Sequence, residues 1–392
     1  MNLADHPIFV VLAVAVAAPL LAEIRVGARV PVVVLEVLLG ILFGPHLLGW
    51  LHDHVFLANM QFVGMAAMLF MAGMEIDFGK IRGRPLSLAL GGWAASLALA
   101  LMAVGLLHVI PGVQAPMMVA IALTTTGLGV LLPILRDGGQ LETAFGRMVM
   151  AAGTLGEIGP VIVVALALSE RYTTWQAFGL LLVFLALVVL AAAVGVGARP
   201  PRLLALLART LQSSTQLPVR LALLIIAAFL TLAQELGFER ILGAFAAGMI
   251  VGVATRGPDG EPFRVKIDAV CFGWLTPFFF IGTGMNFDLG SLTRETETML
   301  LAPIFLLLFL LVRGLPVLLY RRDLPLPEQL PFALSSSVAS LGMVVVITHL
   351  GMQANVMNPN IAQALIAAAL LSMLVFPTVA GVLLARNEPS KG

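Results

Sequence analysis

Few side chains in this 392-residue sequence could do chemistry, and those that could stand in unusual surroundings. Glu157 sits mid-way along a long apolar stretch, in Gly153-Thr154-Leu155-Gly156-Glu157-Ile158-Gly159-Pro160, and Arg313 lies two thirds along another, in Leu311-Val312-Arg313-Gly314-Leu315-Pro316. A charge at a bilayer centre costs roughly 2.5–3.5 kcal/mol on insertion scales, so each needs a reason. A buried carboxyl can trade a proton for a cation: burial favours the protonated form and a bound cation the ionised form, so the two exclude each other. A guanidinium stays charged at any relevant pH, so Arg313 can anchor a charge pattern but cannot carry an exchanged proton. Two readings of Glu157 stand, an ion- and proton-binding group or a structural partner of Arg313. For Arg313 they are pairing with Glu157, capping the carbonyl end of a broken helix, or snorkelling to the inner interface.

Other candidates carry less. Glu36 lies one third into its apolar stretch and stays open, whereas Glu75 and Glu235 lie near stretch ends, where water reaches them, as do His46, His108 and His349. Trp50, Trp93, Trp175 and Trp274 read mostly as belt residues. There is no HExxH and no GxSxG, and the single cysteine, Cys271, excludes an intramolecular disulfide and a multi-thiolate metal site. No cofactor is expected, and an intramembrane enzyme lacks its catalytic pair. Thr125 and Thr126 are candidate oxygen ligands, beside the Glu157 carboxylate, for a hard alkali cation.

The elements that must position these groups follow from composition. The chain is 60% hydrophobic and only 11% charged, with a mean hydropathy of +1.04, far from the roughly 25% charged residues of a soluble domain. A net charge of +1 offers no surface for nucleic acid. A helix needs roughly 20 apolar residues to cross a bilayer, and thirteen such stretches occur: 7–24, 30–50, 55–76, 85–110, 116–135, 147–169, 177–198, 217–236, 238–255, 270–288, 299–320, 331–350 and 361–385. The first lacks a preceding Lys or Arg and reads as a retained helix with its N-terminus outside. On that start, eighteen of the 22 Lys and Arg fall in inside loops and three outside (Arg171, Arg240, Arg294), leaving Arg313 within a span. That asymmetry fits an odd helix count with a cytoplasmic C-terminus.

The halves also repeat. Gly73-Met74-Glu75-Ile76-Asp77-Phe78-Gly79 and Gly284-Met285-Asn286-Phe287-Asp288-Leu289-Gly290 share GMxxDxG at an offset of 211. Gly40 and Gly44 match Gly248 and Gly252 at 208, and Leu128-Gly129 matches Leu341-Gly342 at 213. Each match lies seven stretches apart, an odd shift that reverses the crossing direction, and inverted repeats are the hallmark of secondary transporters built on discontinuous helices. The breaks are expected in Thr124-Thr125-Thr126-Gly127-Leu128-Gly129 and in Ser335-Ser336-Ser337-Val338-Ala339-Ser340-Leu341-Gly342. These residues are weak helix formers whose hydroxyls can satisfy freed backbone groups, although small residues also line ordinary helix contacts. The expected fold is thus an all-α polytopic membrane protein of thirteen spans, in two inverted repeats with crossing broken helices at Gly127, Gly129, Ser337, Ser340 and Gly342.

Several stretches resemble the monovalent cation/proton antiporters, in the bacterial branch of sodium/proton exchangers and potassium-efflux systems. They are Pro31-Val32-Val33-Val34-Leu35-Glu36 with Gly40 and Gly44-Pro45, Leu69 to Glu75, the threonine run ending Pro133-Ile134-Leu135-Arg136-Asp137, Leu242 to Gly248, and Pro277 to Gly282. The resemblance implies a homodimer in a bacterial inner membrane. It implies scaffold and dimerisation helices in 1–84 and 199–298, an ion-translocating core in 85–176 and 299–386, and a linker helix in 177–198. It also implies that Glu157 takes the place of the family's ion-binding aspartate and Arg313 that of its buried basic residue. Two departures stand out: Gly156-Glu157 replaces the usual Asp-Asp, Asn-Asp or Gln-Asp, and Ser340-Leu341-Gly342 replaces a common Arg-Gly-Glu. No stretch resembles the nucleotide-binding regulatory domain of the potassium-efflux branch.

The expected activity is exchange of Na⁺ or K⁺ for protons by alternating access, one proton per cation because one carboxylate titrates. A sodium-coupled organic anion transporter, to which Arg313 would lend its charge, and an uncoupled cation channel are the alternatives.

Overall fold

The computed structural model describes residues 6–23, 31–52, 54–75, 83–107, 116–137, 139–167, 174–197, 206, 209–238, 240–257, 260–287 and 296–387. Among them the regular structure is helical: α1 (Pro7–Glu23), α2 (Val32–Phe43), α3 (Val55–Glu75), α4 (Arg84–Leu107), α5 (Pro116–Leu123), α6 (Leu128–Asp137), α7 (Ala144–Ala167) and α8 (Thr174–Gly197). There follow α9 (Leu217–Glu235), α10 (Arg240–Ala254), α11 (Glu261–Val270), a π-turn (Cys271–Leu275), α12 (Thr276–Met285) and α13 (Thr296–Gly314) with a 3₁₀ turn at Leu315–Leu319. Then come α14 (Leu326–Ser336), α15 (Leu341–Gln353) and α16 (Pro359–Asn387).

Every one of the thirteen apolar stretches contains helix. Among the described residues seven helices are long and apolar enough to cross a bilayer, eight with the bent pair α14 and α15 counted as one, and shorter apolar helices include Pro7–Glu23, Val32–Phe43 and Leu242–Ala254. This is an integral membrane protein. Two stretch limits shift for local reasons. The second helix stops at Phe43 because Pro45 disfavours helix at Gly44, which is extended (ψ 174°). The tenth starts at Glu261, where alternating Glu261, Arg264, Lys266 and Asp268 lower the hydropathy while Phe263 and Ile267 are buried. Arg264 and Lys266 therefore lie on a helix instead of a loop, donating to the Gly252 carbonyl (3.1 Å) and to Gln216 Oε1 (3.1 Å).

The chain divides into two compact units. One comprises Met1–His52, Phe78–Pro160 and Phe280–Gly392. Within it α2 packs on α1, α16 packs on α13, α14 and α15, and α4 packs on α5 and α13. The second comprises Asp53–Asp77 and Val161–Phe279, where α10 packs on α3, α8 and α9.

Each unit contains a helix contact tight enough to require glycine. In the first, a Cβ on Gly40 would strike the Ile281 carbonyl oxygen and stand 3.0 Å from Gly284 Cα, and one on Gly284 would strike the Val37 carbonyl. In the second, a Cβ on Gly248 would strike the Phe70 carbonyl and stand 3.1 Å from Gly73 Cα, and one on Gly73 would strike the Phe245 carbonyl. Small residues let membrane helices approach backbone to backbone, where dispersion and packing must replace the hydrophobic effect.

Candidate functional site

The two hydroxyl-rich runs break their helices. α5 ends at Leu123 and α6 begins at Leu128, while α14 ends at Ser336 and α15 begins at Leu341, the latter pair bent by 41°. Each break leaves a carbonyl end and an amide end inside the protein, and these must find partners. At the end of α5 the threonines serve their own helix: Thr124 Oγ1 donates to the Ile121 carbonyl (2.7 Å) and Thr125 Oγ1 to the Ala122 carbonyl (2.8 Å). Thr126 turns across instead, its hydroxyl donating to the Ser336 carbonyl at the end of α14 (2.6 Å). The breaks meet directly, since the Gly127 N–H donates to the Val338 carbonyl (2.8 Å), and a Cβ on Gly127 would stand 2.9 Å from the Ala339 carbonyl oxygen.

α7 accommodates this crossing. Pro160 has no N–H, so the Gly156 carbonyl one turn earlier lacks its helical donor. It accepts the Thr126 N–H instead (3.1 Å). The approach is so close that a Cβ on Gly156 would lie 2.6 Å from Thr126 Cβ and 2.9 Å from its backbone nitrogen. Glycine at position 156 is therefore a steric requirement of this crossing.

Glu157, 5% exposed, points its carboxyl to the start of α6, where Oε1 accepts the Leu128 N–H at 3.1 Å. A helix N-terminus carries about half a positive charge and stabilises an anion there. Arg313, 4% exposed and in the last turn of α13, serves the opposite pole. Its Nε donates to Thr126 Oγ1 (2.8 Å) and to the Ser336 carbonyl (3.3 Å), Nη1 to Ser96 Oγ (3.3 Å) and Nη2 to the Ala152 carbonyl (2.9 Å). Arg313 lies across the carbonyl end of α14, and among the described residues Glu157 is not one of its hydrogen-bond partners. The guanidinium meets one broken helix at its negative end and the carboxylate meets the other at its positive end.

The remaining candidates fall around this crossing. Ser337 follows the end of α14 and donates to the Ala333 carbonyl (2.6 Å), Ser340 is the extended residue before α15, and Gly342 is the second residue of that buried helix. Gly129 is the second residue of α6. Two participants, Ser96 and Ser372, went unnoticed in the sequence, and a third, Trp93, reads there as a belt residue. Ser96 holds Arg313 from α4, Ser372 of α16 accepts the Ala339 N–H (3.0 Å), and Trp93 of α4 lies so close to Gly159 that a Cβ there would enter its ring. The Gly156-to-Pro160 spacing, four residues, is a signal that could have exposed the free carbonyl. A lone serine carries none. Trp93 is thus a packing residue of the helix that bears Glu157, and its buried indole N–H has no partner among the described residues.

An α-helical membrane protein in which two interrupted helices meet, their opposed dipole ends neutralised by a buried carboxylate and a buried guanidinium, has the organisation of a secondary transporter. The chain belongs to the sodium/hydrogen exchanger family, whose transmembrane model matches residues 10–386. That family is one of cation/proton transporters and not of enzymes. The chain is 26% identical over 400 residues to the putative Na⁺/H⁺ antiporter YjbQ of Bacillus subtilis, a match covering 97% of this chain and 63% of that one. It is 24% identical over 371 residues to the Na⁺/H⁺-K⁺ antiporter GerN of Bacillus cereus, covering 91% and 90%, and 28% identical over 368 residues to the glutathione-regulated potassium-efflux system protein KefC of Escherichia coli, covering 90% and 56%. The chain thus spans less than two thirds of the length of YjbQ and KefC. In fold it is similar to the sodium proton antiporter MjNhaP1 of Methanocaldococcus jannaschii, with a TM-score of 0.66 over 98% of this chain and 99% of that one at 16% identity.

Proposed function

We propose that this chain exchanges a monovalent cation, Na⁺ or K⁺, for protons by alternating access, one for one, at Glu157. The observation that carries this is the placement of Glu157: buried among apolar helices, ionisable, and held by a helix amide end where two broken helices meet. Proton and cation compete for that carboxylate, because the cation favours the ionised form and the proton abolishes it. The carbonyl oxygens of Thr125 and Thr126 and the Thr125 hydroxyl supply further ligands of the hard kind alkali ions prefer, the Thr126 hydroxyl being held between Arg313 and the Ser336 carbonyl. With one exchanging carboxylate and a guanidinium that never deprotonates, each cycle is electroneutral. In support, YjbQ and GerN bear the names of cation/proton antiporters and KefC that of a potassium-efflux system, the same broad class of transport.

The architecture that goes with it has thirteen spans in two inverted repeats, the N-terminus outside and the C-terminus cytoplasmic, in a bacterial inner membrane. Support comes from the glycine contacts, which match residue by residue at the sequence offsets: Gly40 on Ile281 and Gly284 corresponds to Gly248 on Phe70 and Gly73. Residues 85–176 and 299–386 form the moving core and residues 1–84 and 199–298 the scaffold that pairs two copies, with 177–198 linking them. Ser96, Thr126, Glu157, Arg313, Ser336 and Ser372 all fall in that core. An organic anion substrate is disfavoured because all three guanidinium nitrogens of Arg313 already donate within the bundle.

The test is exchange in proteoliposomes with an imposed proton gradient, adding Na⁺, Li⁺ or K⁺ in turn. Wild-type protein dissipates the gradient on cation addition and Glu157→Gln does not. Undiminished exchange in Glu157→Gln removes the mechanism, a current that scales with membrane potential removes the one-for-one stoichiometry, and cation flux without proton movement identifies a channel.

A further inference from the structure

Among the described residues Glu36 is the one buried carboxyl that this mechanism leaves unused. It lies on α2 at 5% exposure, one helical turn before Gly40, on the stripe of α2 that abuts α12. Among the described residues it has no hydrogen-bond or ion-pair partner. The elements whose contacts with α2 are described bring no charge to it: α1 buries Val10, Val11, Val14 and Ala18, and α12 brings Ile281, Gly284 and Met285. Glu23 ends α1 exposed to solvent, and Arg25 and Arg29 lie outside the described residues.

Packing does not explain the residue. At the offset of 208 that carries Gly40 to Gly248, Glu36 falls on Ala244, which is fully buried one turn before its own glycine contact. The same kind of backbone contact is therefore made with a methyl group in this place. A glutamate kept where alanine suffices is a chemical choice, and an ionisable residue inside a membrane marks function by default. An unpaired carboxylate is far costlier to bury than a neutral carboxyl, which needs only modest hydrogen bonding.

We infer that Glu36 is a second proton-binding group of this protein, a neutral carboxyl seated at the α2–α12 contact and separate from the Glu157 site. Its charge is sensed by that contact. Gly40 and Gly284 touch backbone to backbone, a Cβ on Gly40 standing 3.0 Å from Gly284 Cα, so a change of charge one turn away acts on a contact that has no slack. Loss of the Glu36 proton at alkaline pH is then a signal to the helix packing, independent of the cation.

Infrared difference spectroscopy of the full chain in lipid nanodiscs tests this. At pH 7 solvent-exposed carboxyls, with ordinary values of about 3.9–4.3, are ionised. The Glu157→Gln protein is expected to keep a deuterium-sensitive C=O band of a protonated carboxyl that bleaches on alkalinisation. Adding Glu36→Gln deletes that band, and Glu36→Asp, which keeps a carboxyl if the glutamine variant does not fold, shifts it. In exchange assays, Glu36→Gln with Glu157 intact moves the alkaline limb of the pH profile. Absence of the band from Glu157→Gln, its persistence in the double variant, or a Glu36→Gln pH profile that overlays the wild type overturns the inference. Because the spectra are recorded without the Glu157 carboxyl, they stand whether or not that residue carries exchange.

Discussion

Replacing Gly156 by alanine puts the crossing of the broken helices under direct stress. The new Cβ would lie 2.6 Å from Thr126 Cβ and 2.9 Å from its nitrogen, whereas ordinary contact begins near 3.4 Å, so Thr126 must withdraw by about 0.8 Å. That displacement stretches the 3.1 Å bond from the Thr126 N–H to the Gly156 carbonyl to nearly 4 Å, beyond hydrogen-bonding reach. Pro160 has already removed the helical donor to this carbonyl, so nothing local replaces it. Overpacking costs about 1–3 kcal/mol and an unsatisfied buried carbonyl roughly the same again, for a total loss of about 2–6 kcal/mol. Equilibrium unfolding in mixed micelles measures it. A Thr126→Gly change in the same chain removes the clashing Cβ and Oγ1, so the double variant should lose less than the sum of the singles, the signature of residues in contact. A Gly156→Ala protein within about 0.5 kcal/mol of wild type, the range of an unremarkable surface change, would falsify the steric account of the glycine.

Other consequences are open to measurement. The Arg84 guanidinium binds Asp323 through two hydrogen bonds, one of them 2.8 Å, and this bonding holds the carboxyl below its usual range. A depressed carboxyl stabilises the fold above its unfolded value of about 3.9 and loses that effect as pH falls further. The melting temperatures of wild type and Asp323→Asn should therefore differ at neutral pH and converge in acid, and less at high salt; a constant gap contradicts the pair's contribution. Gly40→Ala and Gly248→Ala should each destabilise by about 3 kcal/mol, because backbone stands where the Cβ would go. Gly105→Ala, in α4 with open space around it, should gain roughly 0.5–1 kcal/mol from helix propensity. Equal stability of all three glycine variants would sink the close-contact reading.

Much of the helical plan is legible in the chain because crossing a bilayer is a local demand. Each stretch must be apolar over its own length, so hydropathy alone places helix in all thirteen, and the hydroxyl runs mark both breaks. The limits fail where the signal is not hydropathy: Gly44-Pro45 ends α2 through backbone sterics, and the amphipathic turns of Glu261–Val270 look like a loop to an averaged scale.

The chemical inventory is also local. Glu157 and Arg313 stand out because the surrounding residues make a charge expensive, and the glycines because their spacing recurs. What each group touches is not local. Residues 126, 157, 313 and 336 come together only when two broken helices cross, over separations of up to 210 positions. Which pole of which helix lies beside which charge then depends on the crossing geometry. The sequence alone leaves Glu157 as an ion- and proton-binding group or as the structural partner of Arg313, and leaves Arg313 to pair with it, to cap a broken helix or to snorkel. The tertiary structure separates them, because the freed carbonyl of Ser336 and the freed amide of Leu128 each demand a partner of opposite sign.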